Sequence, residues 1–196
     1  MCSSDLDSSA AAGPREPFLV TDRDGAPHPL GCRLGRSDFV ANAGQADVWD
    51  VQPPVDDWAA RATGPLYRNS KVRPGDVLDG LSQTVFVGEH SQALSQKSWA
   101  GIVVGGWSRV EPSMSSAPAG PAAAFVLSHS GDPSSGTVHV PNDTSGHCDQ
   151  MFSQHPAGSN VAFGDGAVRP VAADVDRTAW AAMCTIAGGE KIPRQD

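Results

Sequence analysis

The sequence predicts an α+β domain dominated by antiparallel strands, with few short helices and long loops, and three observations carry that expectation. Apolar residues fall in short β-branched or aromatic runs such as Thr84-Val-Phe-Val87 and Trp99-Ala-Gly-Ile-Val-Val104, bounded by turn formers. Among 196 residues, 21 are Gly and 16 are Pro, a density of chain breakers that keeps elements short. Only Asp174–Ala187 spaces its apolar residues as a helix does. Short apolar runs by themselves leave strand and buried helix open.

Residues 1–16 have no periodicity, and Cys2-Ser-Ser-Asp-Leu6 equals the translation of a common sequencing-adapter read, so this segment is expected to be disordered or artefactual. A single domain over 17–196 should follow, its order starting at Phe18-Leu-Val20. Asp22-Arg-Asp24-Gly25 opens like a calcium loop but lacks the later ligand positions, and reads as a plain turn. Val48–Val55 suits an edge strand and loop, because Pro53-Pro54 cannot sit in a sheet centre. Residues 76–89 pass from turn formers into the buried strand Thr84–Val87, and Trp99–Val104 forms a second strand of that kind. The Pro, Ser, Ala and Gly of 111–123 mark a flexible insertion, near 108–136 overall. Thr137–Pro141 alternates as a half-exposed strand. Asn160–Gly164 and Ala167–Val171 flank Asp165-Gly166, which favours a two-residue hairpin turn. The helix over 174–187 should carry acidic residues in its first turn, bury Trp180, Met183, Cys184 and Ala187, and stop at Gly188-Gly189.

Charge excludes one class of partner: 14 Lys and Arg against 22 Asp and Glu give a net charge of −8, with no basic run to neutralise phosphates, so nucleic acid is not expected. No stretch approaches the roughly 20 apolar residues of a membrane span. The cysteines Cys2, Cys32, Cys148 and Cys184 contain no Cys-x-x-Cys spacing. They read as disulfides of an exported protein, with Cys148 and Cys184 the favoured pair.

His155, nine intervening residues, and Asp165-Gly166 within Phe152–Arg169 resemble the C-terminal signature of a large bacterial pilin-like family. That family is named for a prepilin-type N-terminal cleavage/methylation signal, this His-nine-residues-Asp-Gly element and a domain of unknown function between them. Further segments follow its pattern in order. Ser37–Gly44 is similar to "S-Y-x-x-N-x-G", Gly64–Ser70 to "G-x-F-x-x-N-S", and Asp76–Thr84, with Asp79, Gly80, Ser82 and Thr84, to "I-x-D-G-x-S-N-T". Gln83 replaces the usual Asn, and Gly88-Glu89 and Gly188-Gly-Glu190 complete the match. The resemblance spans roughly residues 37–190, and if native, Cys2–Asp5 resembles the family's "C-P-S-D". It implies the globular head of a type IV pilin-like or pseudopilin-like protein of the cell envelope, extracytoplasmic, non-enzymatic, and assembling with homologous subunits or secretion-apparatus components. The family's leader, cleavage site and apolar anchor helix are missing from this chain, so inner-membrane anchoring is implied for the parent product. A binding module that recognises a glycan or surface partner through loops 105–136 is the alternative.

The signature residues His155, Asp165, Gly166, Asp79, Gly80, Ser82, Thr84, Gly88 and Glu89 are expected to be structural, with His155 bracing the hairpin turn. Three site chemistries compete with that reading. His139, His147, Cys148 and His155 offer imidazole and thiolate to zinc or copper, at spacings that match no standard site. Ser128-His129-Ser130, or Ser153 with His155 and Asp165, supplies the residue types of a hydrolase triad without a nucleophile elbow. No cofactor is expected outright, although Asp79, Asp143, Asp149 and Asp165 could hold calcium. Of the five tryptophans, Trp49, Trp58, Trp99, Trp107 and Trp180, most should pack in the core, and any exposed ring would suit a glycan surface.

Overall fold

The computed structural model describes residues 17–46, 62–99, 103–110, 120–143 and 147–189. The expected mobile segment 1–16, the edge strand at 48–55 and Trp49 and Trp58 lie outside them. The described residues form a small α+β fold, mostly β with one α-helix. Strands β1 (Phe18–Leu19) and β2 (Arg33–Leu34) pair in a small antiparallel ribbon, as do β5 (Trp107–Ser108) and β6 (Gly120–Pro121). The main sheet contains β3 (Phe39–Asn42), β4 (Val85–Glu89), β7 (Leu127–Ser128), β8 (Gly158–Phe163) and β9 (Val168–Ala172), in the order β7-β3-β4-β8-β9. Its ladders are antiparallel except the β3–β7 pair, which is parallel.

The core lies where the period-2 alternation of the strands meets one helical stripe. Val161 and Phe163 of β8, Val40 of β3, Val85 of β4 and Val171 of β9 pack with Trp180, Ala181 and Cys184 of α1 (Arg177–Met183 and its C-cap). Val138, Val140 and Met151 complete this cluster from loops. The helix starts later than 174 and has no acidic residue inside its first turn, because Asp176 is its N-cap and its carboxylate accepts from the Ala179 amide at 2.8 Å. It ends before Gly188-Gly189, with Cys184 as C-cap.

The β8–β9 hairpin forms as expected, with a loop one residue longer. The Gly166 amide donates to the Phe163 carbonyl (2.9 Å) and the Phe163 amide to Ala167 (2.9 Å), leaving Gly164, Asp165 and Gly166 in the loop. Gly166 has φ +86°, the left-handed residue that follows a type I turn in three-residue hairpins. Asp165 locks the corner by accepting from the Ala167 amide at 2.9 Å.

Two expected strands are otherwise. Val103 and Val104 enter a turn closed by Gly106 N–H to the Val103 carbonyl (2.8 Å) with Gly105 at φ +82°, and the strand begins only at Trp107. Residues 100–102 lie outside the described residues. Thr137–Pro141 alternates in burial without joining a ladder. Instead Val138 and Val140 insert into the main core, and the indole N–H of Trp180 and the Arg177 guanidinium hold the His139 and Val138 carbonyls. Within the insertion expected near 108–136, residues 120–131 are packed and 132–136 are exposed: Ala124 and Phe125 are fully buried, and Phe125 lies against Phe18 and Val20. Residues 111–119 lie outside the described residues.

The expected disulfide is not formed, and the fold separates its partners. Cys184 lies in the main core, where burial pushes its thiol up to about 12 against the opposing effect of the Ser130 hydroxyl. Cys148 packs instead beside Gly120 and Ala124, where even a methyl group added at Gly120 would collide with its sulfur. No disulfide links the described cysteines Cys32, Cys148 and Cys184.

Candidate functional site

Each signature residue makes a structural contact. Asp79 gathers the chain end that follows α1, its carboxylate accepting from the Thr185 hydroxyl (3.0 Å) and the Gly188 and Gly189 amides (2.8 and 2.9 Å). Gly80, at φ +96°, turns the chain so that its carbonyl accepts from the Gln83 and Thr84 amides. The buried Thr84 hydroxyl donates to the Thr185 carbonyl, and the Ser82 carbonyl accepts from Arg169. Gly88 is small because the Met151 thioether occupies the place of its Cβ. The other motif segments follow the same logic. Asn42, fully buried, donates to the Val85 and Cys184 carbonyls (2.7 and 2.9 Å) and accepts from Gly44 N–H (2.8 Å). Gly44 in turn lies directly against the Gly64 backbone.

His155 does not brace the Asp165-Gly166 turn. The nine-residue spacing contains all of β8, so the two halves of the signature sit at opposite ends of a six-residue strand, roughly 20 Å apart at 3.3 Å per residue. The His155 ring is 62% exposed, with Nε2 3.4 Å from Glu89 Oε1. Glu89 is the stronger brace, since its carboxylate accepts from the Asn160 amide (2.8 Å) and side chain (3.0 Å) and so ties β4 to β8. Glu89→Ala is expected to lower unfolding free energy by roughly 1–3 kcal/mol, and His155→Ala by less than about 0.5 kcal/mol. Urea titrations of both variants check this; equal losses would count against it.

The side chains that gather into a chemical constellation are different ones. His129 follows β7, His139 lies on the core-packed segment 138–140, and His147 and Asp149 lie on the loop before β8. The His139 amide donates to the Ser130 carbonyl (2.7 Å), which registers the first two segments. His129 Nε2 lies 3.2 Å from Asp149 Oδ1, and His147 Nδ1 hydrogen-bonds the same oxygen. Donor atoms of His129, His147 and Asp149 all fall within 4.8 Å of one another. His139 completes a triangle of imidazoles, with ring centroids 5.2 Å from His147 and 5.9 Å from His129, and 5.2 Å between the latter two. His129 Nδ1 faces the Gln45 carbonyl at 3.4 Å.

Asp149 and His139 both depart from their ordinary titration in this cluster. Burial alone would raise the Asp149 carboxyl, but the charge and hydrogen bond of His129, followed by those of His147, hold it well below the usual carboxylate range. Burial, and then repulsion from His147 and His129, lowers His139 to about 4. Behind the cluster, the buried Lys97 donates to the Ala124 and Cys148 carbonyls.

Of the expected metal ligands, His139 and His147 come together, whereas His155 faces Glu89 elsewhere. Cys148 turns its sulfur toward Gly120, 4.0 Å from His147 Nδ1. From residue types alone His129 suits a triad and Asp149 calcium, and the near-even spacing of His129, His139 and His147 is the sequence signal that relates them. The other chemistries do not assemble. Ser128, Ser130 and Ser153 donate their hydroxyls to the Ala41, Gly131 and Gly158 carbonyls. The four calcium candidates are dispersed: Asp79 holds the Gly188-Gly189 amides, Asp143 pairs with Arg177, Asp149 belongs to the imidazoles, and Asp165 closes the hairpin.

Neither a curated protein nor a solved structure matches the chain. A family model does, over residues 30–178, a span that contains Asp79, Glu89, His155, Asp165 and all four members of the imidazole–carboxylate cluster. The chain therefore belongs to the family described as protein of unknown function DUF1559.

Proposed function

We propose that this chain is the globular head of a pilin-like or pseudopilin-like envelope protein, a structural subunit and not an enzyme. Its place is outside the cytoplasm, in a filament or secretion apparatus, with homologous subunits or apparatus components as partners and an N-terminal helix of the parent product as anchor. The observation that carries this reading is the engagement of the signature residues. Asp79, Glu89 and Thr84 each fix one backbone segment to another, Gly88 leaves room for Met151, and Asp165 closes the hairpin turn. A motif used in this way defines a rigid head that can be displayed, whereas a catalytic motif would converge on one cleft. No helix among the described residues is long and apolar enough to cross a membrane.

The test is to sequence the gene upstream of codon 1 from an intact template and to locate the head in fractionated cells with an antibody. A prepilin-type cleavage site followed by a long apolar helix, with the head in the envelope fraction, is the expected result. An uninterrupted native start at Met1 with the head in the cytosol would overturn the reading. A binding module is the second reading, favoured by Trp99, which is 52% exposed; Trp107 is half-buried with Arg23 over its ring.

A further inference from the structure

We propose that His129, His139, His147 and Asp149 form a tetrahedral site for a divalent transition ion of the zinc type, which staples three loop segments of the head together. None of the four is a signature residue of the pilin-like reading, so this inference stands or falls apart from it.

The geometry is the first argument. Ligand bonds of about 2.1 Å at tetrahedral angles set neighbouring donor atoms about 3.4 Å apart and imidazole centroids about 5.3 Å apart. The observed separations are 3.2 Å for His129 Nε2 to Asp149 Oδ1, and 5.2, 5.2 and 5.9 Å between the rings. The donor atoms of His129, His147 and Asp149 already lie within 4.8 Å of one another, and the His139 ring, 5.9 and 5.2 Å from the other two by centroid, would turn in as the fourth ligand. A carboxylate with three imidazoles is a borderline donor set, suited to zinc and not to calcium or magnesium, which take oxygen ligands.

The second argument is burial and polar satisfaction. Asp149 is fully buried, and its Oδ2 has no hydrogen-bond partner among the described residues. A buried carboxylate oxygen left in that state is costly unless an ion or donor meets it. Outer contacts are present as well: the Gln45 carbonyl lies by His129 Nδ1, the placement that fixes a ligating imidazole with its other nitrogen turned inward. Trp180 and Arg177 hold the segment bearing His139 onto α1. His147 remains 24% exposed and His139 is half-buried, which gives an ion a route in.

The four ligands come from three separate segments, so the effect of binding is a cross-link. Such a link stabilises the folded head by mass action in proportion to ion concentration. A protein whose expected disulfide is not formed would thereby obtain a staple of another kind.

The experiment uses the purified chain, stripped with a chelator and titrated with Zn²⁺ by calorimetry and with Co²⁺ by visible absorption. One equivalent should bind, with the intense d–d bands of tetrahedral Co²⁺ and a rise in melting temperature on adding Zn²⁺. His139→Ala and His147→Ala, chosen because these rings are partly exposed, should each weaken binding by roughly 100-fold, while His155→Ala should not. Binding that survives both cluster variants, or is lost in His155→Ala, would place the ion elsewhere and overturn the proposal, as would no binding to the parent chain. Should either variant unfold, zinc-edge X-ray absorption on the unaltered protein decides. A shell of three imidazoles and one carboxylate is expected, and an all-oxygen shell would refute the site.

Discussion

Replacing Trp180 with alanine is expected to lower the unfolding free energy by about 3–5 kcal/mol. Trp180 is 2% exposed and has the largest volume among the fully buried side chains. It is the contact through which α1 covers the sheet, packed with Val40, Val85, Val161 and Phe163. The helix has seven residues, too few to be stable by propensity, so its existence depends on this burial. Its indole N–H also donates to the His139 carbonyl at 2.9 Å, and truncation leaves that acceptor without its donor. Trp180→Phe separates the two contributions: it keeps most of the ring volume, removes the donor, and should cost about 1 kcal/mol for the hydrogen bond together with a smaller packing loss. Denaturant unfolding followed by far-ultraviolet circular dichroism measures both. A loss below about 1 kcal/mol for Trp180→Ala would mean that α1 is not docked as described.

The parts of this fold that were legible in the sequence are those whose physics is local. Alternating Val161 and Phe163, Asp-Gly at the corner and β-branched neighbours in β9 specify a hairpin within fifteen residues, 158–172. The extra loop residue was not legible, because two- and three-residue hairpins both favour Asp-Gly and the flanking Gly164 accepts either role. The helix is legible in its apolar stripe but its start is not, because Asp174 and Asp176 both look like first-turn acids until one of them is seen to cap. His155 lies away from the hairpin turn for a geometric reason. Nine residues are close in sequence but, when six are extended, they separate the ends of the motif.

The imidazole–carboxylate cluster was harder to read for the opposite reason. His129, His139 and His147 lie on irregular segments with no helical or strand period to relate them. Their convergence depends on Val138 and Val140 entering the core and on the His139–Ser130 backbone hydrogen bond. Those are tertiary facts, and local propensity is silent about them. The Asp79 and Asn42 contacts are of the same kind, linking residues 106 and 142 positions apart. Here the family resemblance marked the right residues without indicating what they touch.

Acid is expected to destabilise the head well above the pH at which carboxylates titrate, and the buried His90 is the reason. Its ring is 2% exposed, with Nδ1 2.9 Å from the Gln150 carbonyl and Nε2 3.1 Å from the Ser95 hydroxyl. Burial, and then repulsion from Lys97, lowers its folded-state value from 6.5 to about 3. Below pH 6.5 the unfolded chain therefore takes up a proton that the folded chain refuses, and stability must fall with falling pH until about pH 3. For one such group the loss between pH 7 and 4.5 is about 2.5 kcal/mol. The half-exposed His139, lowered to about 4, acts in the same direction with a smaller share. Asp149 cannot explain a loss in this window. A carboxylate held low stabilises the fold at every pH above its unfolded value, and gives that stability up only as pH falls below that value and through its own folded one. Urea unfolding at pH 7 and 4.5 in chelator-treated buffer, for the parent and for His90→Gln, isolates the contribution. The variant should begin less stable at pH 7, because an amide does not reproduce both imidazole contacts, yet its decline toward pH 4.5 should be shallower by about 2 kcal/mol. Parallel declines would show that the unfolding protons bind elsewhere, and that the His90 ring is not the group that opposes them.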